Sequence, residues 1–360
     1  MGFLNSMIAE NRIEIVIEDY TLSGGTEYIA AFISNTLANS GYNVRIVTLG
    51  KKNQSSFYLI SEKVEIVNLK NKSIWALTKY FRSNKVLLRY SISMGRNGVK
   101  CAWANIFSGS LSRLVTCEHV GFVNKSIFVS FLQILAFNLV DGLVLLTQRD
   151  ANRLKKFVRH EIIVMPNPSR FDAVQESGLD TKENLIIAVG RLTFQKGFDR
   201  LIRIVSEIGI WGNWSLEIYG EGEDESKLKH LIYTYGLTDR VRLCGNTKDI
   251  NGVYQRAKIL AMTSRFEGLP LVLIEAKSFG VACISFDCET GPREIIDDCA
   301  DGYLIKSDDF EEFTNKLSNI MNNEVLLISL QATALKNSEK FNLESIAPRW
   351  VQVTKSKIDG

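Results

Sequence analysis

Two carboxylates stand eight residues apart in RFEGLPLVLIEAKSFG (265–280), a stretch otherwise built for a core. Glu267 lies in a polar turn just ahead of Pro270, a residue suited to the first turn of a helix. Glu275 falls inside that helix, with Val272 and Phe279 on its own face and Ile274 and Ala276 beside it. A carboxylate on an apolar face is costly unless it accepts hydrogen bonds. The two hydroxyls of a ribose diol would satisfy Glu275, and so would a salt bridge to a neighbouring Lys or Arg. Glu267 has two readings as well: it contacts a hydroxylated substrate, or it complements the positive end of the helix. Upstream, GRLTFQKG (190–197) puts Arg191 and Lys196 between an apolar run and a helix start. Two cations beside free helix N–H groups make an anion site, most naturally for phosphate; the other reading of the pair is surface salt bridging. Downstream, DCETGPREII (287–296) offers Thr290 as a cap, Gly291 for close backbone approach and Pro292 as the start of another helix.

Alternating strands and helices must position these groups. The first half opens with the strand IEIVIE (13–18), the glycine turn SGGTE (23–27), a helix to about Asn39 stopped by Gly41, and the strand NVRIVTL (43–49). That is a parallel βαβ unit. KVLLRYSI (85–92), RLVTCEH (113–119) and GLVLLT (142–147) continue it as unbroken apolar runs, the mark of strands buried on both faces. The segment 127–147 approaches the ~20 residues of a membrane span, but Asp141-Gly142 divides it into a helix and a short strand. VMPNPSRFD (164–172) reads as a linker, since its prolines fit neither helix nor central strand. The pattern then restarts with strands LIIAVG (185–190), SLEIYG (215–220), VRLCG (241–245), ILAMTS (259–264), VACISF (281–286) and GYLI (302–305). Helices are expected from about Gly197, around 223–235, from Pro270, and over 292–297; the acidic run in GEGEDESK (220–227) reads as a solvated first turn. The expectation is α/β: two doubly wound, Rossmann-like domains, 1–168 and 169–340, facing across a cleft. In such folds ligands bind beyond the carboxyl ends of the strands, where Arg191, Lys196, Glu267 and Thr290 all fall.

The chain has 360 residues, 46% of them apolar, and this length suits two domains. Six scattered cysteines form no C-x-x-C pair, and no signal peptide precedes them, so they read as reduced thiols in the cytosol. Three unclustered histidines argue against a histidine-based metal site. MGFLNS matches a myristoylation pattern. Charge is uneven: residues 1–168 carry 20 Lys and Arg against 11 Asp and Glu, residues 169–360 carry 23 against 29. A basic first half would suit nucleic acid, an anionic membrane surface or a phosphorylated substrate. The segment NKSIWALTKYFRSNKVLLRY (71–90) interleaves Trp75, Leu77 and Phe81 with Lys72, Lys79, Arg82, Lys85 and Arg89. It reads either as a surface for anionic lipid or as an ordinary solvated face.

GRLTFQKG, FEGLPLVLIEAKSFG and TGPREII together closely resemble the retaining nucleotide-sugar glycosyltransferases of family 4, which have the GT-B fold. The spacing of Glu267 and Glu275 is that family's E-x7-E signature. The resemblance spans nearly the whole chain, specific in the second half and loose in the first. It implies that Arg191 and Lys196 hold a donor diphosphate, that Glu267 contacts the transferred sugar with the backbone of Gly268 and Leu269 near the phosphates, and that Glu275 holds the ribose. Gly24 and Gly25 match a glycine loop that closes onto the phosphates, His119 a histidine facing acceptor and reacting sugar, and Asn246 and Thr247 the base-binding loop. The implied catalytic set is Glu267, His119, Arg191 and Lys196. A last helix, within 341–360, is expected to return to the first domain. No D-x-D motif follows a strand, so neither a metal nor a cofactor is expected. TGPRE is similar to bacterial polysaccharide enzymes that use UDP-sugars to transfer hexoses or N-acetylhexosamines. The implied acceptor is a lipid-linked oligosaccharide of O-antigen, capsule or lipopolysaccharide synthesis. The expected location is cytoplasmic, peripheral on the inner membrane face, with no nucleic-acid partner. Two other functions on this fold stay open: a nucleotide-sugar epimerase, and a non-catalytic subunit of a polysaccharide assembly complex. A dinucleotide oxidoreductase is disfavoured, because SGGTEY lacks G-x-G-x-x-G and the second strand runs into lysines.

Overall fold

A computed structural model of the chain describes residues 12–22, 24–50, 55–93, 95–119, 127–174, 179, 181–209 and 211–359. The MGFLNS pattern and Ser23 of the glycine turn lie outside them. The chain divides into two compact units, one of residues 1–167 with 344–360, the other of 168–343. The sequence reading set these joints at 168/169 and 340/341.

The first unit runs β1 (Arg12–Ile17), α1 (Gly25–Asn39), β2 (Asn43–Thr48), β3 (Glu65–Asn68), α2 (Ile74–Ser83), β4 (Leu88–Ser93), α3 (Arg96–Ser108), β5 (Arg113–Glu118), α4 (Ile127–Phe137), β6 (Gly142–Leu145), α5 (Gln148–Leu154) and β7 (Ile162–Val164). Its seven strands are parallel in the order β3-β2-β1-β4-β5-β6-β7. A parallel sheet needs cover on both faces. Ile29, Ile33 and Leu37 of α1 pack into one cluster with strand residues, while Leu77, Phe81, Cys101, Ala102 and Ala136 of α2, α3 and α4 pack into another. Glu14 of β1 is fully buried and accepts from Arg45, Arg89 and the Tyr80 hydroxyl, so this buried charge is paired. The apolar segment 127–147 divides at Asp141-Gly142 into α4 and β6, and no helix of the described residues is long and apolar enough to cross a membrane.

The second unit runs β8 (Glu183–Val189), α6 (Phe198–Ser206), β9 (Ser215–Tyr219), α7 (Glu225–Thr234), β10 (Val241–Gly245), α8 (Ile250–Arg256), β11 (Ala257–Met262), α9 (Leu271–Ser278), β12 (Ala282–Asp287), α10 (Pro292–Ile295), β13 (Gly302–Lys306), α11 (Phe310–Asn322) and α12 (Glu324–Ser338). Its parallel strands follow the order β10-β9-β8-β11-β12-β13. The final helix α13 (Leu343–Asp359) packs on the first unit. Trp350 meets the Tyr90 ring edge-on at 5.6 Å, Tyr90 and Thr354 share a hydroxyl–hydroxyl bond of 2.9 Å, and Arg113 donates to the Lys357 carbonyl.

Candidate functional site

Strand order fixes where a site can form. In the second sheet the chain builds outward from β8 through β9 to β10, then crosses back to lay β11 against the other side of β8. At such a switch point the loops after β8 and β11 diverge and leave a crevice. Those are the loops of Arg191 and Lys196, and of Glu267. In the first sheet the switch point falls between β1 and β4.

Glycines set the path of the β8 loop. A Cβ on Gly220 would lie 1.9 Å from the Gly190 carbonyl oxygen. Gly190 in turn is packed by the methylenes of Lys196, the nearest 3.1 Å from where its own Cβ would be. Gly197 begins α6 at φ +66°, and a Cβ there would meet the Thr263 carbonyl at 2.3 Å. Bare backbone at these positions lets the two loops touch. The Thr263 hydroxyl donates to the Gly197 carbonyl at 2.8 Å. The Arg265 N–H donates to the Gln195 carbonyl at 2.8 Å. Its guanidinium grips both oxygens of Asp199 at 3.0 and 2.8 Å, bonds the Phe194 carbonyl and stacks on the Phe194 ring. Gln195 returns a bond to the Phe266 carbonyl.

This lattice brings Lys196 Nζ to 2.6 Å from Glu267 Oε1, with the side chains only 17% and 8% exposed. An ammonium has three donors and a carboxylate about four acceptor sites, so the pair neutralises itself and keeps bonding capacity for a ligand. Arg191 is exposed beside it, with no carboxylate partner among the described residues. Helix α9 begins at Pro270, which sits at the cap, and no side chain caps it. Leu269 is buried, while Gly268 is half-buried on the approach.

The loop after β12 departs from the sequence reading. The Thr290 hydroxyl does not cap α10; it donates to the Glu267 carbonyl and pins that residue. Gly291, at φ +101°, lies so close to Gly268 that a Cβ would be 2.4 Å from its carbonyl oxygen. Helix α10 is a single turn of four residues, shorter than the 292–297 expected and too short to build a useful dipole.

Glu275 is fully buried on α9, and its charge is satisfied from within the chain. Arg170 holds both oxygens, Nε to Oε1 at 2.6 Å and Nη2 to Oε2 at 2.9 Å, and the Tyr254 hydroxyl adds a bond to Oε2. The salt bridge, one of the two sequence readings, therefore exists; a ribose diol is not needed to stabilise the carboxylate. Asn246 and Thr247 stand exposed after β10, the edge strand, apart from the Lys196–Glu267 pair. The Thr247 hydroxyl oxygen accepts from the Asp249 N–H at 3.0 Å.

In the first unit Gly24 caps α1 without a side-chain bond, and Gly25 is the helix's first residue. A cavity of about 430 Å³ opens there at the first switch point, lined by Glu18, Asp19, Thr26, Glu27, Lys72 and Arg96 among others. His119 follows β5, its N–H bonded to the Ser93 carbonyl. Both ring nitrogens are buried with no hydrogen-bond partner among the described residues. Burial holds the imidazole at about 4, against an ordinary 6.5, so it is neutral near pH 7.

Sequence reasoning missed Arg170, Tyr254, Thr263 and Arg265, which position the named residues, and gave Thr290 a capping role in place of its bond to Glu267. Only Arg265, two residues from Glu267, lay near a visible signal.

The family model for glycosyl transferases group 1 matches residues 169–341. The amylovoran biosynthesis glycosyltransferase AmsD of Erwinia amylovora is 33% identical over 351 residues, 94% of this chain and 98% of that one. The Campylobacter jejuni α-1,4-N-acetyl-D-galactosaminyltransferase that acts on a GalNAc-GalNAc-diNAcBac-PP-undecaprenol is 25% identical over 350 residues, 92% of this chain and 95% of that one. Among solved structures, Anabaena HepE in complex with UDP aligns with a TM-score of 0.79 at 16% identity, covering 96% of this chain and 100% of that one. Both units share the Rossmann-like architecture of GT-B glycosyltransferases.

Proposed function

The chain belongs to the group 1 glycosyl transferases, and from that premise we propose that it carries a hexose or N-acetylhexosamine from a UDP-sugar to a lipid-linked saccharide during bacterial surface-polysaccharide synthesis. The observation that carries this reading is the Lys196–Glu267 pair, locked at the second sheet's switch point with Arg191 open beside it. AmsD's role in amylovoran synthesis, the undecaprenol-linked substrate of the Campylobacter enzyme and the UDP in HepE support acceptor and donor class.

Breaking a sugar–phosphate bond builds negative charge on the departing diphosphate and positive charge on the sugar carbon. Lys196 and Arg191 offset the former, with the bare start of α9 and the backbone of Gly268 and Leu269 as N–H donors; a preorganised donor of this kind is worth about 10²–10³ in rate. As Lys196 turns to phosphate, Glu267 is released to accept the sugar's hydroxyls. These cations take the part a metal would, so the reaction proceeds without one. Glu275, fully buried, takes the ribose by exchanging the Arg170 bond at Oε1, which carries one bond where Oε2 carries two. Asn246 and Thr247, two strands from β8 and thus roughly 10 Å away, meet the base. The Gly24–Gly25 turn serves the phosphates, and the neutral His119 ring faces the acceptor. The leaving phosphate accepts the acceptor's proton on the face it departs from, which retains the anomeric configuration.

A panel of nucleotide sugars followed by thermal shift tests the reading. A UDP-hexose or UDP-N-acetylhexosamine at 100 times its dissociation constant should stabilise the chain by about 2.7 kcal/mol. Stabilisation by none of them contradicts the donor class, and conversion of the donor to its epimer without any acceptor would favour epimerase chemistry instead.

A further inference from the structure

From Ile66 to Cys117 the chain has nine Lys and Arg and not one Asp or Glu. This span builds α2 and α3, which lie side by side over one face of the first sheet, with α4 against α3. Their inner sides fill the core; their outer sides do not look like ordinary solvated helix. Trp75 is 71% exposed and stacks on Phe107 of the neighbouring helix with ring centres 6.1 Å apart, and Phe107 stacks on Trp103 at 5.7 Å. The aromatic ladder thus crosses two helices in the open. Phe131 of α4 and Leu111, at the end of α3's connection, are exposed as well, at 63% and 94%. Lys79, Arg82 and Lys85 flank the ladder in solvent.

We propose that this three-helix face docks on an anionic lipid bilayer. Charge complementarity selects the occupant, since helices that carry Lys79, Arg82, Arg96 and Lys100 and no carboxylate are attracted to anionic headgroups. The exposed aromatics match the amphipathic residues that settle at headgroup level. The face also borders the first-unit cavity, where Arg96 at the start of α3 and Lys72 directly before α2, paired with Glu18 at 2.8 Å, stand among Glu18, Asp19 and Glu27. Docking therefore sets the cavity mouth beside the headgroups. That consequence rests on the reading of a lipid-linked acceptor; the docking itself does not.

The test is co-sedimentation of the full chain with vesicles of phosphatidylglycerol and phosphatidylethanolamine, and separately of phosphatidylcholine. The proposal expects binding to the anionic vesicles, release as salt is raised, and little binding to the neutral ones. Trp75→Ser with Lys79→Glu should lower the partition coefficient roughly tenfold or more, with UDP affinity by calorimetry unchanged as the check on folding. No binding to anionic vesicles at low salt, equal binding to neutral ones, or undiminished binding of a folded variant overturns the proposal. A wild-type dimer that Trp75→Ser abolishes would assign the face to a second copy instead. If the wild-type chain binds vesicles but not UDP, the donor reading fails and the docking stands.

Discussion

Glu275 shows how far a single residue can be read. Its position in an apolar helix and its distance from Glu267 were visible in the sequence, and so was its need for partners. Which partner met that need was not, because Arg170 is 105 residues away in sequence and only the fold brings it near. Glu275→Ala takes from the half-buried Arg170 and the buried Tyr254 hydroxyl the carboxylate they share, and we expect a loss of about 3 kcal/mol in urea melts, along with weaker UDP binding. A loss of stability with unchanged UDP affinity would make Glu275 a structural residue only. His119 carries a pH signature. Its folded value of about 4 lies below the ordinary 6.5, so the folded state binds fewer protons than the unfolded one. Its contribution is fully present above pH 6.5 and is lost as pH falls toward 4, by roughly 2–3 kcal/mol at pH 4.5. His119→Gln should flatten that dependence between pH 7.5 and 4.5; an unchanged slope would mean the ring is solvated.

At the scale of elements, the apolar runs of β1, β2, β5, β8, β9, β11 and β12 announced themselves, because strands buried on both faces cannot disguise their composition. The edge strands β3 and β7 did not: EIVN is half polar, and IIV is only three residues long. Strand order was equally out of reach, since a parallel sheet is wound by crossovers whose destination is set by packing. Yet strand order is what turns the loops after β8 and β11 into one site. The junction between them is tested at Gly197, where φ +66° and the Thr263 carbonyl both exclude a side chain. Gly197→Ala should cost about 2 kcal/mol or more and lower turnover by displacing Lys196. A variant with wild-type melting and activity would show that the loops tolerate separation.

Across the whole molecule, the uneven charge proved more informative than the net value of +3. Much of the first half's cation excess falls in 66–117, which holds nine Lys and Arg and no carboxylate, while the second half, with its net negative charge, keeps Arg191 and Lys196 for the crevice of its own sheet. The resemblance carried by GRLTFQKG and FEGLP extended to the architecture of the full chain and implied that the last helix returns to the first domain, but not which of its residues would enter that core. Trp350, 2% exposed against Tyr90, answers that. Trp350→Ala should destabilise the first unit by about 3–5 kcal/mol, read by thermal unfolding; an unshifted transition would mean that α13 adds little to that core.

Acceptor-dependent release of UDP, compared between the wild-type chain and a Lys196→Ala variant shown by circular dichroism to be folded, tests the central claim most directly. The account predicts a fall of about 10²–10³ in turnover when the cation facing the leaving diphosphate is removed. Release at the wild-type rate would contradict it and move the donor site away from the Lys196–Glu267 pair.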